Sequence, residues 1–333
     1  MKKICILGAA GFLGQHLEYR LKAEGHFVVS VARKPPPFRP SVADEYNIMD
    51  LINPAEFHTH FFRHEFDEVY ALAGNVGGLG HIGTGLHDAE ILTESVKINL
   101  HTLEAIRKTG GVGKIFFASS QCVYPDKAEV DPFAQERIAP VIMAHRESDA
   151  HFDTFAFGQE KLFAEKLYDA YARNYNFNVR IARIGNSYGP YSTYDGDRAK
   201  APAAICRKVA QAGYGGVVDL WGDAQATRSF TYVDDIIEGM IRLMDAEIGA
   251  HGPINLASSE MVTIEQLFET VCAVAGKILA WRASEGPTGV RGRNSDNALC
   301  RQVLGWEPFT CLEEGLNKTY PWIKQQVLTK AVG

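Results

Sequence analysis

The sequence predicts an α/β protein: a doubly wound parallel sheet with helices on both faces, and a smaller mixed C-terminal lobe. Three observations predict it. The chain opens on a strand, a glycine turn, a helix and a second strand. Apolar strands and helical stretches then alternate, the pattern of a parallel sheet covered on both sides. After about residue 184 that rhythm loosens and Gly and Pro become frequent, as in Gly189-Pro190 and Gly215-Gly216.

Lys3–Leu7 is a short apolar strand, and Gly8-Ala-Ala-Gly11-Phe-Leu-Gly14 is a turn. Leu13, Leu17 and Leu21 recur at helical spacing across Phe12–Ala23, and Gly25 ends that helix. Phe27–Val31 is the second strand, and Pro35-Pro36-Pro37 makes a rigid loop after it. Ala55–His64 reads as helix, Glu68–Ala73 as strand, Asp88–Thr109 as a long helix and Lys114–Ala118 as strand. Residues 157–175 read as helix and Asn178–Ile184 as strand; later helical stretches fall near 201–212, 234–245 and 263–275. We therefore expect a nucleotide-binding unit over 1–184, with 220–245 returning to it, and a substrate lobe over 185–333.

Composition excludes several classes of function. The 333 residues are 46% hydrophobic and 22% charged, the balance of a globular protein rather than a disordered one. No apolar run reaches the roughly 20 residues a bilayer demands, so no membrane partner is expected. Net charge is −6 and no Lys/Arg run exceeds two residues, which argues against nucleic acid. The six cysteines lack pairing rhythm and read as reduced thiols, so a cytoplasmic protein is expected. Met1-Lys2-Lys3 runs directly into the first strand, and the apolar run there is short for a signal peptide, so none is expected.

Gly8, Gly11 and Gly14 stand between a strand and a helix at the start of a βαβ unit. Glycine there lets the backbone approach a pyrophosphate at a helix N-terminus, the mark of a Rossmann-type dinucleotide site. Phe12 and Leu13 belong to the same turn. An acid at the end of the second strand would bind the 2′-hydroxyl of NAD, but this chain has Ala32-Arg33-Lys34, cations suited to the 2′-phosphate of NADP. Asp50 either faces the adenine or caps a helix, with Leu51 beside it.

Further motifs carry a resemblance. Beyond the glycine turn they are Leu72-Ala73-Gly74, Ser119-Ser120, the spacing Phe157-x3-Lys161, Asn186-Ser-Tyr188-Gly189-Pro190 and Arg228-Ser-Phe-Thr-Tyr232-Val-Asp234-Asp235. Together they make the chain resemble the extended short-chain dehydrogenases/reductases along essentially its whole length. Within that family it is most similar to the GDP-mannose 3,5-epimerases. The matching segments are Asn75-Val-Gly77-Gly78-Leu-Gly80, Ser120-Gln-Cys122-Val-Tyr-Pro125, Arg198-Ala-Lys200, Trp221-Gly-Asp223 and Gly289-Val-Arg291-Gly-Arg293. GDP-fucose synthases share some of these segments.

The resemblance implies NAD(P), a GDP-sugar substrate, a homodimer, and epimerisation through transient oxidation at C4. It implies Ser120 and Lys161 at the hydride-transfer site, with Lys161 also on the nicotinamide ribose, and Leu72 and Ala73 against the cofactor. Cys122 and Lys200 would exchange protons at C3 and C5, which become acidic once C4 is a ketone. Gly78, Asn186, Lys208, Arg228 and Arg293 would hold the substrate, the cations clamping its diphosphate.

One departure is large. The family's catalytic tyrosine would stand at 157, where this chain has Phe157. The ring remains and the hydroxyl that would trade a proton with O4 is lost, so oxidation is expected to be slow. Two explanations stay open: a chain inactivated by Tyr-to-Phe replacement, or a natural protein using another acid or only binding its ligand. No metal is expected. His58, His60 and His64 read as a solvated helix, because no Cys or carboxylate joins them at ligand spacing. Asp234-Asp235 reads as a helix cap.

Overall fold

The computed structural model describes residues 1–55, 65–110, 112–124, 135–136, 156–247, 252–287, 289 and 292–332. In chain order the first unit holds β1 (Lys3–Leu7), α1 (Phe12–Ala23), β2 (Phe27–Ala32), β3 (Glu45–Ile48) and β4 (Phe66–Ala71). It continues with α2 (Leu79–Ile82), α3 (Asp88–Thr109), β5 (Val112–Ser120), a 3-10 turn (Gln121–Val123), β6 (Gln135–Glu136), α4 (Ala156–Tyr175) and β7 (Val179–Ile184). There follow β8 (Asn186–Tyr188), α5 (Ala201–Gln211), β9 (Val217–Trp221), β10 (Thr227–Tyr232), α6 (Val233–Asp245) and β11 (Ile254–Leu256). The chain closes with β12 (Met261–Thr263), α7 (Ile264–Ala275), β13 (Ala280–Ser284), β14 (Gly292–Ser295), α8 (Ala298–Leu304) and α9 (Leu312–Val332). Most of the helix expected over Ala55–His64, with its three histidines, lies outside the described residues.

Seven parallel strands form the main sheet in the order β3-β2-β1-β4-β5-β7-β11. Side chains alternate between its faces, as strand geometry requires. From β1, Ile4 and Ile6 enter one core with Leu17 and Leu21 of α1 and Ile236 and Met240 of α6. Cys5 and Leu7 enter the opposite core, with Leu103 and Ile106 of α3 and Ala164 and Tyr168 of α4. This two-sided burial explains why the strands read as continuous apolar runs.

The C-terminal elements build a smaller mixed assembly. β10 lies between an antiparallel β12 and a parallel β14, pairs also with β8, and β9 pairs with β13. Ile205 and Val209 of α5, Leu267 and Val271 of α7 and Leu316 and Ile323 of α9 join the core that covers one sheet face. The seventh strand, β11, comes from beyond the 220–245 stretch assigned to the first unit by sequence. Asp234 and Asp235 open α6 without capping it through a side chain. Asp235 instead accepts from the backbone N–H groups of Phe309 and Thr310, at 3.0 and 2.8 Å, and anchors the approach to α9.

Candidate active site

The parallel strands end on one edge, where the loops after them gather. β1 has β2 on one side and β4 on the other, so the winding reverses there, the usual place for a ligand in such sheets. Gly8 sits at φ +92°, and a Cβ on it would stand 2.7 Å from the Ala73 backbone nitrogen. Gly14 lies so close to the Gly8 carbonyl that no side chain fits between them. Gly11 is the N-cap of α1 and no side chain caps that helix, leaving its first N–H groups for an anion. The cradle thus fits a dinucleotide pyrophosphate for a physical reason. Gly8→Ala is expected to cost about 1–3 kcal/mol through backbone strain alone, and also to weaken cofactor binding, checked by denaturant midpoint and dinucleotide titration.

Other residues expected at the cofactor lie around this cradle. Ala32 is buried, and exposed Arg33 places its guanidinium 3.8 Å from Glu94 of α3. Asp50 accepts from the Ile52 N–H at 3.0 Å and shapes a turn, while the Leu51 carbonyl bonds to His101 at 3.0 Å. Leu72 donates its N–H to the Leu7 carbonyl, so Leu72 and Ala73 follow the end of β4 rather than lying within it. Lys161 is buried beside Gly74, with its Nζ 5.1 Å from the centre of the Phe117 ring and 5.6 Å from that of Phe157.

Four segments carry the other residues that the sequence places at the reaction. The Ser120 hydroxyl accepts from the Cys122 N–H at 3.1 Å, which starts the 3-10 turn and sets the thiol at the end of β5. Arg293 of β14 donates an N–H to the Cys122 sulfur at 3.3 Å. Phe157 of α4 is buried with Ile82 and Ile91, and Cys122 packs against this cluster. Lys200, the N-cap residue of α5, donates to the Ser187 hydroxyl at 3.1 Å. Burial pushes the Lys200 ammonium below its ordinary value, while the charge on Cys122 opposes that fall. Cys122 and Lys200 are therefore within electrostatic reach, though 78 residues separate them in sequence.

The glycine run beside them has a mechanical role. A side chain on Gly78 would strike the Ala199 carbonyl, and one on Gly80 would stand 3.0 Å from the Asp197 carbonyl. Gly78 also donates its N–H to the Arg198 carbonyl at 2.9 Å. Glycine thus lets α2 lie flush on the loop that delivers Lys200. Asn186 reaches the Ser229 carbonyl at 3.4 Å. Lys208 donates to the Asp219 carbonyl at 2.6 Å and lies 5.1 Å from the centre of the Trp221 ring. Arg228 donates to the Thr227 carbonyl at 2.7 Å and lies beside Gly289.

Sequence reasoning missed two polar groups here. Gln121 is buried between Ser120 and Cys122, and neither its amide oxygen nor its nitrogen has a partner among the described residues. Asn75 is buried behind the glycine run and accepts from Arg198 at 3.0 Å. The available signal was position alone, since both stand inside segments already singled out.

Residues 4–257 match the model of the NAD dependent epimerase/dehydratase family. The chain belongs to that family. GDP-mannose 3,5-epimerase of Arabidopsis thaliana is 37% identical over 98% of this chain and 83% of its own length. A putative GDP-L-fucose synthase of Oryza sativa subsp. japonica is 28% identical over 96% of this chain and 86% of its own. Among solved structures, UDP-glucose 4-epimerase of Thermotoga maritima superposes with a TM-score of 0.79 at 22% identity, covering 98% of this chain and 99% of that one. That structural likeness speaks to the fold alone. Membership of the family points to a nicotinamide cofactor.

Proposed function

We propose that this chain epimerises a GDP-sugar at C3 and C5 by way of a transient C4 ketone. The observation that carries the reading is that Lys200 lies within electrostatic reach of Cys122, while Arg293 donates to the Cys122 sulfur and Lys200 to the Ser187 hydroxyl. The long, near full-length likeness to a GDP-mannose 3,5-epimerase supports the substrate class. When bound, the nicotinamide supplies a hydride acceptor and donor for C4, and Gly8, Gly11, Phe12, Leu13, Gly14, Leu72, Ala73 and Lys161 would hold it.

Cys122 as thiolate takes the proton from a carbon acid on one face of the sugar ring. The Arg293 guanidinium donates to that sulfur at 3.3 Å and holds it in place. Lys200 delivers a proton on the other face, and its lowered pKa eases that transfer. Ser120 orients the O4 hydroxyl. Lys208, Arg228, Asn186 and Gly78 line the path for the diphosphate and sugar. Phe157 supplies no proton, so this chain oxidises C4 slowly.

The Ala32-Arg33-Lys34 terminus of β2 supports NADP, because no acid is present for a free 2′-hydroxyl and Arg33 can exchange Glu94 for a phosphate. Arg33→Ala is expected to weaken NADP by about tenfold or more while leaving NAD within about twofold, measured by titration of pure protein. Equal changes for both dinucleotides would remove the argument.

The same Arg33 favours a second reading, an NADPH-consuming epimerase–reductase of the GDP-fucose synthase type. Phe157 favours a third, a nucleotide-sugar-binding protein without turnover. Incubating Phe157→Tyr protein with candidate GDP-sugars separates them. Epimers without net cofactor change support the first, NADPH consumption the second, and no reaction the third.

A further inference from the structure

One further cluster has no part in this chemistry. His81 of α2, His87 at the N-cap of α3 and Asp197 of the Lys200 loop bring three ligand atoms within 4.8 Å of one another. His81 Nδ1 stands 3.7 Å from Asp197 Oδ2, and His87 Nε2 stands 3.6 Å from the same oxygen. Tetrahedral zinc, with nitrogen and oxygen ligands at about 2.0–2.1 Å, sets its ligands about 3.3–3.4 Å apart. The two carboxylate edges need close by only a few tenths of an ångström.

The hydrogen bonds point the ring lone pairs the same way. Asn75 Oδ1 accepts from Arg198 at 3.0 Å and lies 2.8 Å from His81 Nε2, so that ring nitrogen carries the proton and donates. His81 Nδ1 is then a bare lone pair. The residue is 1% exposed and this nitrogen has no hydrogen-bond partner among the described residues, although it faces the cluster. On His87, Nδ1 lies 3.5 Å from Glu90 and Nε2 turns inward. Each imidazole thus has a proton acceptor on its outer nitrogen, the arrangement that orients metal-bound histidine.

We propose that His81 Nδ1, His87 Nε2 and Asp197 Oδ2 bind one divalent transition-metal ion, with a fourth position open to water. Two imidazoles and one carboxylate suit zinc, cobalt or nickel over magnesium or calcium. The ion ties α2 and the start of α3 to the loop three residues before Lys200. That consequence for catalysis rests on the role proposed for Lys200; the binding itself does not.

The test titrates metal-free full-length protein with Co²⁺ and reads visible d–d absorption, followed by displacement with Zn²⁺. We expect about one equivalent per chain, competed by zinc. His87→Ala and Asp197→Asn alter partly exposed side chains, so the fold, checked by circular dichroism, should persist while Co²⁺ affinity drops by about 100-fold or more. A chain with His58, His60 and His64 all changed to Gln should keep the site. Absence of saturable binding, binding unchanged in both single variants, or binding lost with His58, His60 and His64 replaced would overturn the proposal.

Discussion

Phe157→Tyr is expected to raise C4 oxidation by a factor of about 10² or more, the scale of a positioned general acid–base group. The ring already has its place: it is buried against Ile82, Ile91 and Cys122, with Lys161 Nζ 5.6 Å from its centre. Lys161 sits one helical turn along α4 and would draw the restored phenol toward its anion, the form that accepts the O4 proton. Single-turnover cofactor reduction with a GDP-sugar measures the gain. An unchanged rate would mean that another residue supplies the proton or that no oxidation takes place, and it would favour the binding-only reading.

In that restored background, Cys122→Ser and Lys200→Met are each expected to lower inversion by about 10²–10⁴. Both should leave cofactor reduction intact, because they act on carbon acids that exist only after the ketone has formed. Serine keeps the shape of Cys122 and loses its base strength near neutral pH. Deuterium uptake from heavy water at C3 and C5 is the readout. Full uptake in the Cys122 variant would return that residue to a packing role against Phe157.

Lys200→Met should also stabilise the protein, which separates lost chemistry from lost fold. Desolvation makes the half-buried Lys200 ammonium hold its proton less tightly in the folded state than in the unfolded chain, whose value is about 10.5. Its cost is therefore full below the folded value and vanishes as the pH rises to the unfolded one. Denaturant midpoints at neutral pH should rise in the variant, and the gain should shrink as the pH approaches that limit.

The sheet was legible because its strands are buried on both faces. Lys3–Leu7, Phe27–Val31 and the helices over Phe12–Ala23 and Asp88–Thr109 show periods that local sequence alone sets, and the structure keeps them within a residue. β4 begins and ends two residues earlier than Glu68–Ala73, since pairing of Leu7 with Ala71 stops the ladder there. The short strands of the second lobe carry too little alternation to be read. α9 was hidden by Gly315 and Pro321, and the glycine makes sense in a helix only once Tyr188 is seen packed over it.

The site divides in the same way. Local sequence determined the glycine cradle, because strand, turn and helix are consecutive and a left-handed Gly8 is a property of the backbone itself. It also determined that position 157 lacks a hydroxyl. Only the tertiary structure decided that Arg293 reaches the Cys122 sulfur, that half-buried Lys200 lies within electrostatic reach of that thiol, and that His81, His87 and Asp197 converge. Those groups come from several elements, and the approach of His81 to Asp197 depends on α2 resting on the 197–199 backbone. Charge and proton affinity depend on such surroundings, which no single segment carries.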